Sequence, residues 1–179
     1  MIAAPHHVIT VAEYHRMVDA GAFAPGERLE LLDGELIAMS PMGNRHYLVV
    51  NELAQQFAVA ARVAGLKIGI QSPVIISTES EPEPDLVLRR RTPGVPTAAD
   101  ITLIVEVSDS TLAYDRDIKL PRYARAGIPE AWIVDLANDH IDIHTQPGDQ
   151  GYAHHRRVPF GGALIISGTG VAVEWEWMG

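Results

Sequence analysis

The apolar run ITLIVEV, residues 101–107, constrains the fold more than any other stretch of the chain. All of its residues are aliphatic except Thr102 and Glu106. Such a composition is typical of a strand at the centre of a sheet that is covered on both faces. An ionised carboxylate is costly to bury without a partner. Glu106 therefore predicts a nearby positive group, which a metal ion, a lysine or an arginine could supply.

Length and composition predict a soluble, cytoplasmic protein with a single domain spanning residues 1–179. The chain contains no cysteine, which excludes disulfides, thiolate metal ligands and cysteine nucleophiles. No apolar run approaches the roughly 20 residues that cross a bilayer, and the N-terminus lacks the pattern of a secretory signal. We therefore expect no membrane partner.

The formal net charge of −9 argues against a general nucleic-acid coat protein, because such proteins neutralise phosphates with excess lysine and arginine. It does not exclude an enzyme with a local basic patch. Six arginines are candidates for that patch, although a solvated face explains them as well: Arg89, Arg90, Arg91, Arg116, Arg122 and Arg125.

The N-terminal part of the chain is predicted to form a helix and a hairpin. Residues 8–19 fit a short helix, with Thr10 as N-cap and Glu13 at the capping-box spacing. Residues 28–39 fit a β-hairpin, because Asp33-Gly34 is a strong two-residue turn signal between apolar arms.

The longest predicted helix spans residues 40–65 and stops at Gly65. Its apolar face is predicted from residues at helical spacing, namely Leu48, Leu53, Phe57 and Ala60 or Ala61. The strands predicted after it are residues 67–77, which Pro73 could break, then 85–90, 101–107, 131–136, 140–146 and segments within 164–177.

A further helix is predicted between the strands at 101–107 and 131–136. Pro121 is tolerated only in a first helical turn, so the helix is expected to start near Asp117 as N-cap and to end at Gly127. The order of elements predicts an α/β fold around a mixed central sheet, with additional C-terminal strands.

Asp85 and Glu106 form the candidate metal site, because one starts a predicted strand and the other lies near the end of the next. If the two strands are antiparallel neighbours, these side chains lie about 5 Å apart. Carboxylates so close together repel unless a cation lies between them, and Mg²⁺ prefers such oxygen ligands. Lys119 in the opening turn of the following helix can point at the same place, with Tyr123 one turn later on the same face.

Two carboxylates, Mg²⁺ and a lysine suit the hydrolysis of a phosphodiester. The metal polarises a phosphoryl oxygen and lowers the pKa of a bound water. The lysine can orient or help to deprotonate that water, or stabilise charge on the phosphate. Hydrolysis of a nucleotide is a weaker alternative, because the chain has no glycine-rich phosphate loop.

Several spaced segments carry a resemblance to a known family. They are PD at 84–85, EVS at 106–108, YDRDIKLPRYARAGIPEAWIVDL at 114–136, LELLDGEL at 29–36 and the helix that carries His46. Together they resemble the Uma-type restriction endonuclease family, a domain of unknown function within the PD-(D/E)XK nuclease superfamily. The resemblance implies a restriction-endonuclease-like αβββαβ core with a mixed sheet and an N-terminal hairpin addition. It also implies Mg²⁺-dependent DNA cleavage, with Mn²⁺ as a substitute, and a homodimer.

Carried over residue by residue, the resemblance makes Asp85 and Glu106 the metal-binding acids, with the backbone carbonyl of Val107 completing the site. The superfamily places its lysine two residues after the second acid, where this chain has Ser108. Lys119 occupies the position on the following helix from which a lysine substitutes in this family. Asp85, Glu106 and Lys119 are therefore the implied catalytic residues.

Other interpretations of these residues stay open. Asp85 could cap a turn, and Glu106 with Lys119 could form a structural ion pair. The missing lysine at position 108 and the negative net charge also fit a catalytically inactive nuclease fold that acts as a dimeric binding or regulatory module. Glu30 and Glu35 match family positions and could approach the metal or simply be exposed hairpin carboxylates.

Histidine and serine residues elsewhere favour structural interpretations. His46 is interpreted as a surface or capping residue in preference to a ligand, and Ser108 and Ser110 as cap or turn residues. The stretch HIDIH at 140–144 could hold Zn²⁺ but fits a solvent-facing edge strand better. The pairs His6-His7 and His154-His155 are predicted to lie in surface loops.

Overall fold

A six-stranded mixed sheet organises the computed structural model, which describes residues 6–39 and 42–175. The strands of this sheet follow the order β3-β4-β5-β6-β7-β8. Their bounds are β3 Lys67–Ile70, β4 Leu86–Arg89, β5 Ile101–Ser108, β6 Glu130–Asp135, β7 His140–Gly148 and β8 Gly151–Pro159. The other elements are α1 Val11–Asp19, β1 Leu29–Leu32, β2 Glu35–Ala38, α2 Asn44–Val63, α3 Leu112–Tyr114, α4 Leu120–Arg125, β9 Gly162–Ile165 and β10 Ala172–Trp175.

The two predicted N-terminal elements are confirmed. Thr10 and Glu13 form the capping box that starts α1. The β1–β2 hairpin turns through Asp33 and Gly34, whose φ angles are 49° and 77°. A side chain at position 34 would also collide with Val8, because its Cβ would lie 2.1 Å from Val8 Cγ1. Glycine is therefore required at this turn.

Helix α2 covers one face of the sheet with the apolar stripe that contains Leu53 and Phe57. The ring of Phe57 packs edge-on against Trp132 of β6 at 5.6 Å between centroids. Leu48 was predicted on the same stripe, and this is wrong, because it is 59% exposed. Nine residues make about two and a half helical turns, so Leu48 lies opposite Phe57, and Val49 and Val50 face the core instead.

Strand pairing around β5 is antiparallel with β4 and parallel with β6. The predicted strand at 67–77 ends at Ile70, because Gln71 adopts a positive φ of 43° and turns the chain out of the sheet. Strand β5 is buried along almost its entire length, which confirms the interpretation of the 101–107 run as a central strand. Within the residues described, no helix is long and apolar enough to cross a membrane.

The parallel β5–β6 pair is joined by a continuous helical segment, residues 112–125, which we term the crossover helix. It consists of α3, a π-helical turn at Asp115–Lys119 and α4. The predicted start at Asp117 is wrong, because Asp117 lies inside the helix. Pro121 is tolerated because the wide turn precedes it, where the Leu120 N–H donates to the Asp115 carbonyl five residues back.

The C-terminal part adds two hairpins, and the interpretation of HIDIH as an edge strand is wrong. Strand β8, which was not predicted, pairs with β7 and carries His154 and His155, so these two histidines do not lie in a loop. Asp142 of β7 is buried and accepts hydrogen bonds from Arg157 at 2.8 Å and His155 at 2.9 Å. Ion pairs between β7 and β8 thus neutralise the polar side chains of both strands.

His6 and His7 are exposed in a loop, as predicted. Strand β9 pairs with β10 in a separate small sheet.

His144 makes the stability of this hairpin sensitive to acid. Its ring stacks on that of His155 at 4.6 Å, and burial, assisted by His155, lowers its pKa to about 4. Because the folded pKa is depressed from an unfolded value near 6.5, the stabilising contribution is complete above about pH 6.5 and is lost as pH falls towards 4.

His144→Phe keeps an aromatic ring but removes the titrating group. Between pH 7 and pH 4.5, we expect the free energy of unfolding of wild type to fall by about 1–2 kcal/mol more than that of this variant. Urea denaturation at both pH values measures this difference. His154→Phe is the matched control, since His154 is exposed on the opposite side of β8. Equal pH dependence of His144→Phe and wild type would contradict the assignment.

Candidate functional site

A pocket of about 560 Å³ opens where the start of β4, the end of β5, the β1–β2 hairpin and the crossover helix meet. Side chains alternate between the two faces of a strand, so Glu106 points away from α2 while Val105 and Val107 pack against it. Glu106 thereby faces the crossover helix. The pocket contains the three residues predicted to be catalytic, Asp85, Glu106 and Lys119.

Asp85 lies beside Glu106 because the antiparallel register pairs the next residue, Leu86, with Val105. The Oδ2 atom of Asp85 accepts hydrogen bonds from the Val107 backbone N–H at 2.9 Å and from His46 Nε2 at 3.0 Å. Its Oδ1 atom has a weaker contact at 3.5 Å from the Gln71 amide. The carboxylate of Asp85, which lines the pocket, is thus held in place mainly through one of its oxygens.

Glu106 is buried between a hydroxyl and an ammonium group. Its Oε1 atom accepts a hydrogen bond from the Tyr123 hydroxyl at 2.5 Å and lies 2.9 Å from Lys119 Nζ. Burial raises the pKa of Glu106 above its ordinary value, although the Lys119 ammonium opposes this shift and the charges of Asp115 and Asp85 add to it. The positive partner that the sequence predicts for Glu106 is, in this structure, a lysine.

Lys119 is buried in the same cluster and contacts a second carboxylate. Its Nζ atom lies 3.4 Å from Oε2 of Glu30, which is itself buried on β1. Burial alone would lower the pKa of Lys119, but the charges of Glu106 and Glu30 outweigh it, so the pKa is raised. The side chain therefore remains an ammonium at neutral pH.

The π-helical turn aligns the side chains of the crossover helix at this site. Tyr114 and Lys119 are five residues apart, a spacing that a regular α-helix places on different faces. The wider turn brings both to the face that also carries Tyr123, and each contacts a buried glutamate. Such turns occur often at functional sites.

His46 was interpreted as a surface or capping residue, and this is wrong. It lines the pocket from the first turn of α2 and contacts Asp85. Burial would lower the pKa of His46, but the hydrogen bond to Asp85 and its charge prevail, so the pKa is raised. Because a carboxylate can only accept, Nε2 must carry the proton of this hydrogen bond.

Glu30 and Glu35 have different environments although both belong to the hairpin. Glu30 lines the pocket, whereas Glu35 is exposed and outside it. Sequence reasoning missed Asp109 and Asp115, which also line the pocket. Asp115 accepts hydrogen bonds from Ser108 at 2.8 Å and from Thr111 at 2.6 Å. Ser108 was interpreted as a cap or turn residue, and Thr111 was assigned no role. The four-residue spacing of Asp115 and Lys119 on a helix was the signal that could have identified it.

The six arginines proposed as a phosphate patch do not line this pocket. Three of them pair with nearby carboxylates instead, Arg90 with Asp100, Arg116 with Asp117 and Arg122 with Asp33. Arg28, which the sequence did not single out, is at the rim and pairs with Glu83 at 3.0 Å.

The pocket is lined mainly by carboxylates, the donor type that hard cations prefer. Six carboxylates line it, against three basic side chains, Arg28, His46 and Lys119. The acids are Glu30, Glu83, Asp85, Glu106, Asp109 and Asp115. Within residues 6–39 and 42–175, no three metal-binding side chains stand together as a ligand cluster. This agrees with Lys119 lying in contact with both Glu30 and Glu106.

The chain matches the sequence profile of a known protein family. The sequence profile of the Uma2 family, described as "Putative restriction endonuclease", matches residues 11–176. The chain belongs to the Uma2 family. No curated protein matches its sequence.

The Uma2 fold agrees with a solved structure. A crystal structure described as a "putative nuclease belonging to DUF820", from Anabaena variabilis, superposes with a TM-score of 0.65 at 12% identity. The match covers 88% of each chain. The Uma2 chain therefore has a nuclease-like α/β fold, with a six-stranded mixed sheet, a small N-terminal hairpin and additional C-terminal strands.

We expect Lys119→Met to lower the free energy of unfolding of the Uma2 chain by about 3–5 kcal/mol at pH 7, because it leaves buried carboxylates without a counter-ion. Adding Glu106→Gln should restore part of this loss. Urea denaturation measures both effects. Lys67→Met is the control, since Lys67 is exposed and should change stability by less than about 0.5 kcal/mol. A loss below about 1 kcal/mol in Lys119→Met would contradict the importance of the ion pair.

Proposed function

We propose that the chain is a Mg²⁺-dependent DNA endonuclease of the PD-(D/E)XK type, which hydrolyses phosphodiester bonds. The observation that carries this proposal is the convergence of Asp85, Glu106 and Lys119 in one pocket. The order of α2, β3, β4, β5, the crossover helix and β6 supports it, since this is the αβββαβ order of restriction-endonuclease-like cores. A homodimer and DNA as substrate belong to the same proposal.

The acids of the site would hold the metal. Asp85 and Glu106 are the ligands in this proposal, and the Val107 backbone carbonyl is the third. Asp85 is prepared for this role because His46 and the Val107 N–H hold its carboxylate in place at the wall of the pocket. When bound, Mg²⁺ supplies a Lewis acid for the phosphoryl oxygen and lowers the pKa of a bound water.

Lys119 contributes charge in this proposal and does not act as a base. Because Glu106 and Glu30 raise its pKa, the side chain keeps its proton at neutral pH. An ammonium can donate hydrogen bonds to orient a water molecule and can stabilise negative charge on a phosphate.

A catalytically inactive binding or regulatory module is the second candidate. The observation that favours it is the contact between Lys119 and Glu106, because a lysine already neutralises the acid that a metal would occupy. The net charge of −9 and Ser108 at the usual lysine position agree with it. Metal binding separates the two candidates.

We expect purified protein to nick supercoiled plasmid DNA in the presence of Mg²⁺ or Mn²⁺. Asp85→Asn and Lys119→Ala should lower the nicking rate at least about 100-fold, because each removes a charge at the reacting centre. Asp149→Asn and Lys67→Ala are the controls, since both residues are exposed and lie outside the pocket. Nicking by Asp85→Asn at the wild-type rate would rule out the assignment.

Isothermal titration with Mg²⁺ and Mn²⁺ tests the metal site without relying on turnover. We expect saturable binding by wild type, weakened at least about tenfold in Asp85→Asn and in Glu106→Gln, because each variant loses an anionic ligand. Chelation with EDTA should stop nicking, and added Mn²⁺ should restore it. Absence of binding, even with DNA present, would contradict the nuclease proposal and favour the binding module.

A further inference from the structure

Lys119 lies between two carboxylates that are each held by a tyrosine of its own helix. Glu106 accepts a hydrogen bond from Tyr123 at 2.5 Å, and Glu30 accepts one from Tyr114 at 2.8 Å. The lysine Nζ atom is 2.9 Å from the first carboxylate and 3.4 Å from the second. All three crossover-helix side chains reach the cluster because the π-helical turn separates Tyr114 from Lys119.

Both oxygens of the Glu30 carboxylate are held by contacts with the protein. Its Oε1 atom accepts from the Tyr114 hydroxyl, and its Oε2 atom accepts from the Glu83 backbone N–H at 3.1 Å while it contacts Lys119. The side chain is buried, and the hairpin on which it stands is joined to the rest of the fold by a backbone bridge between Leu31 and Glu81. The carboxylate therefore cannot turn away without losing three partners.

A second carboxylate beside the Lys119 ammonium is important if Glu106 exchanges the lysine for a metal ion. In the proposed nuclease, Glu106 binds a divalent cation, and two cations compete for one carboxylate. An ammonium that lost its only buried counter-ion would be strongly destabilised or would leave the pocket. Glu30 is not a metal ligand in the proposed site, and Lys119 is the only cationic side chain that contacts it among the described residues, so it offers the ammonium a second counter-ion.

We propose that Glu30, fixed by Tyr114, is the positioning residue that keeps the Lys119 ammonium at the site when Glu106 binds a metal ion. This proposal rests on the proposed nuclease function. Glu30 acts through Lys119 and touches neither the substrate nor the reacting atoms.

Two substitutions of Glu30 separate a positioning role from a packing role. Glu30→Gln preserves shape and one hydrogen-bond acceptor, replaces the other acceptor oxygen with an amide donor, and removes the charge that faces Lys119. Glu30→Asp preserves the charge but shortens the side chain and disturbs packing more. If charge holds the lysine, Asp should retain more activity than Gln, whereas a packing role predicts the reverse order.

In the plasmid-nicking assay we expect Glu30→Gln to lower kcat at least tenfold with KM changed less than threefold. Glu30→Asp should lie between Gln and wild type. Glu35→Gln, on the exposed part of the same hairpin, is the matched control and should match wild type. Higher activity in Gln than in Asp, or wild-type activity in Gln, would overturn the proposal. If Glu30→Gln does not fold, Tyr114→Phe replaces it, with the same kcat loss expected and wild-type kcat as the contradicting result.

Amine labelling tests the same proposal independently of cleavage. The chain has two lysines, Lys67 and Lys119, so Lys67 is an internal reference. With an acylating reagent and mass spectrometry, we expect the labelling ratio of Lys119 to Lys67 to rise at least threefold in Glu30→Gln and not in Glu35→Gln. If wild type cleaves no DNA but this ratio rises, the nuclease proposal fails and Glu30 still positions Lys119. An unchanged ratio overturns the positioning role.

Discussion

The buried ion pair between Lys119 and Glu106 is the interaction on which the rest of this site depends. Glu106 stands on a central strand that is buried along almost its entire length, where a lone carboxylate would not remain ionised. Lys119 of the crossover helix pairs with that carboxylate. The widened π-helical turn places Lys119 on the helix face that points at Glu106. The Lys119–Glu106 contact thus joins the crossover helix to the sheet and also places the two charges of the candidate site together.

The neighbourhood of this pair is organised in layers. Asp85 is oriented by His46 and by the backbone of Val107, and Glu30 is oriented by Tyr114. These two acids are therefore each held by donors from distant parts of the chain. Preorganisation of this kind is what a reaction centre needs, because charges that are already fixed in place need not reorganise as the reaction proceeds.

Sequence patterns predicted what depends on local periodicity and chemistry. The β5 strand, the Asp33-Gly34 turn and the approach of Asp85 to Glu106 follow from alternation, turn preference and strand pairing. The π-helical turn and the polar β7–β8 pair did not follow, because each depends on contacts between distant segments. His46 was misjudged for the same reason, since its partner Asp85 is 39 residues away. The exposure of Leu48 follows from helical periodicity, which the prediction misapplied.

The parallel pairing of β5 with β6 has a consequence for how the molecule assembles. Parallel strands need a crossover between them, and contacts distant in sequence form more slowly than local ones, so the crossover helix is expected to dock after the local elements form. Until then Glu106 lacks its ammonium partner and is best accommodated by solvent or by a proton. The charge pairs of the candidate site accordingly form only once segments distant in the sequence have packed together.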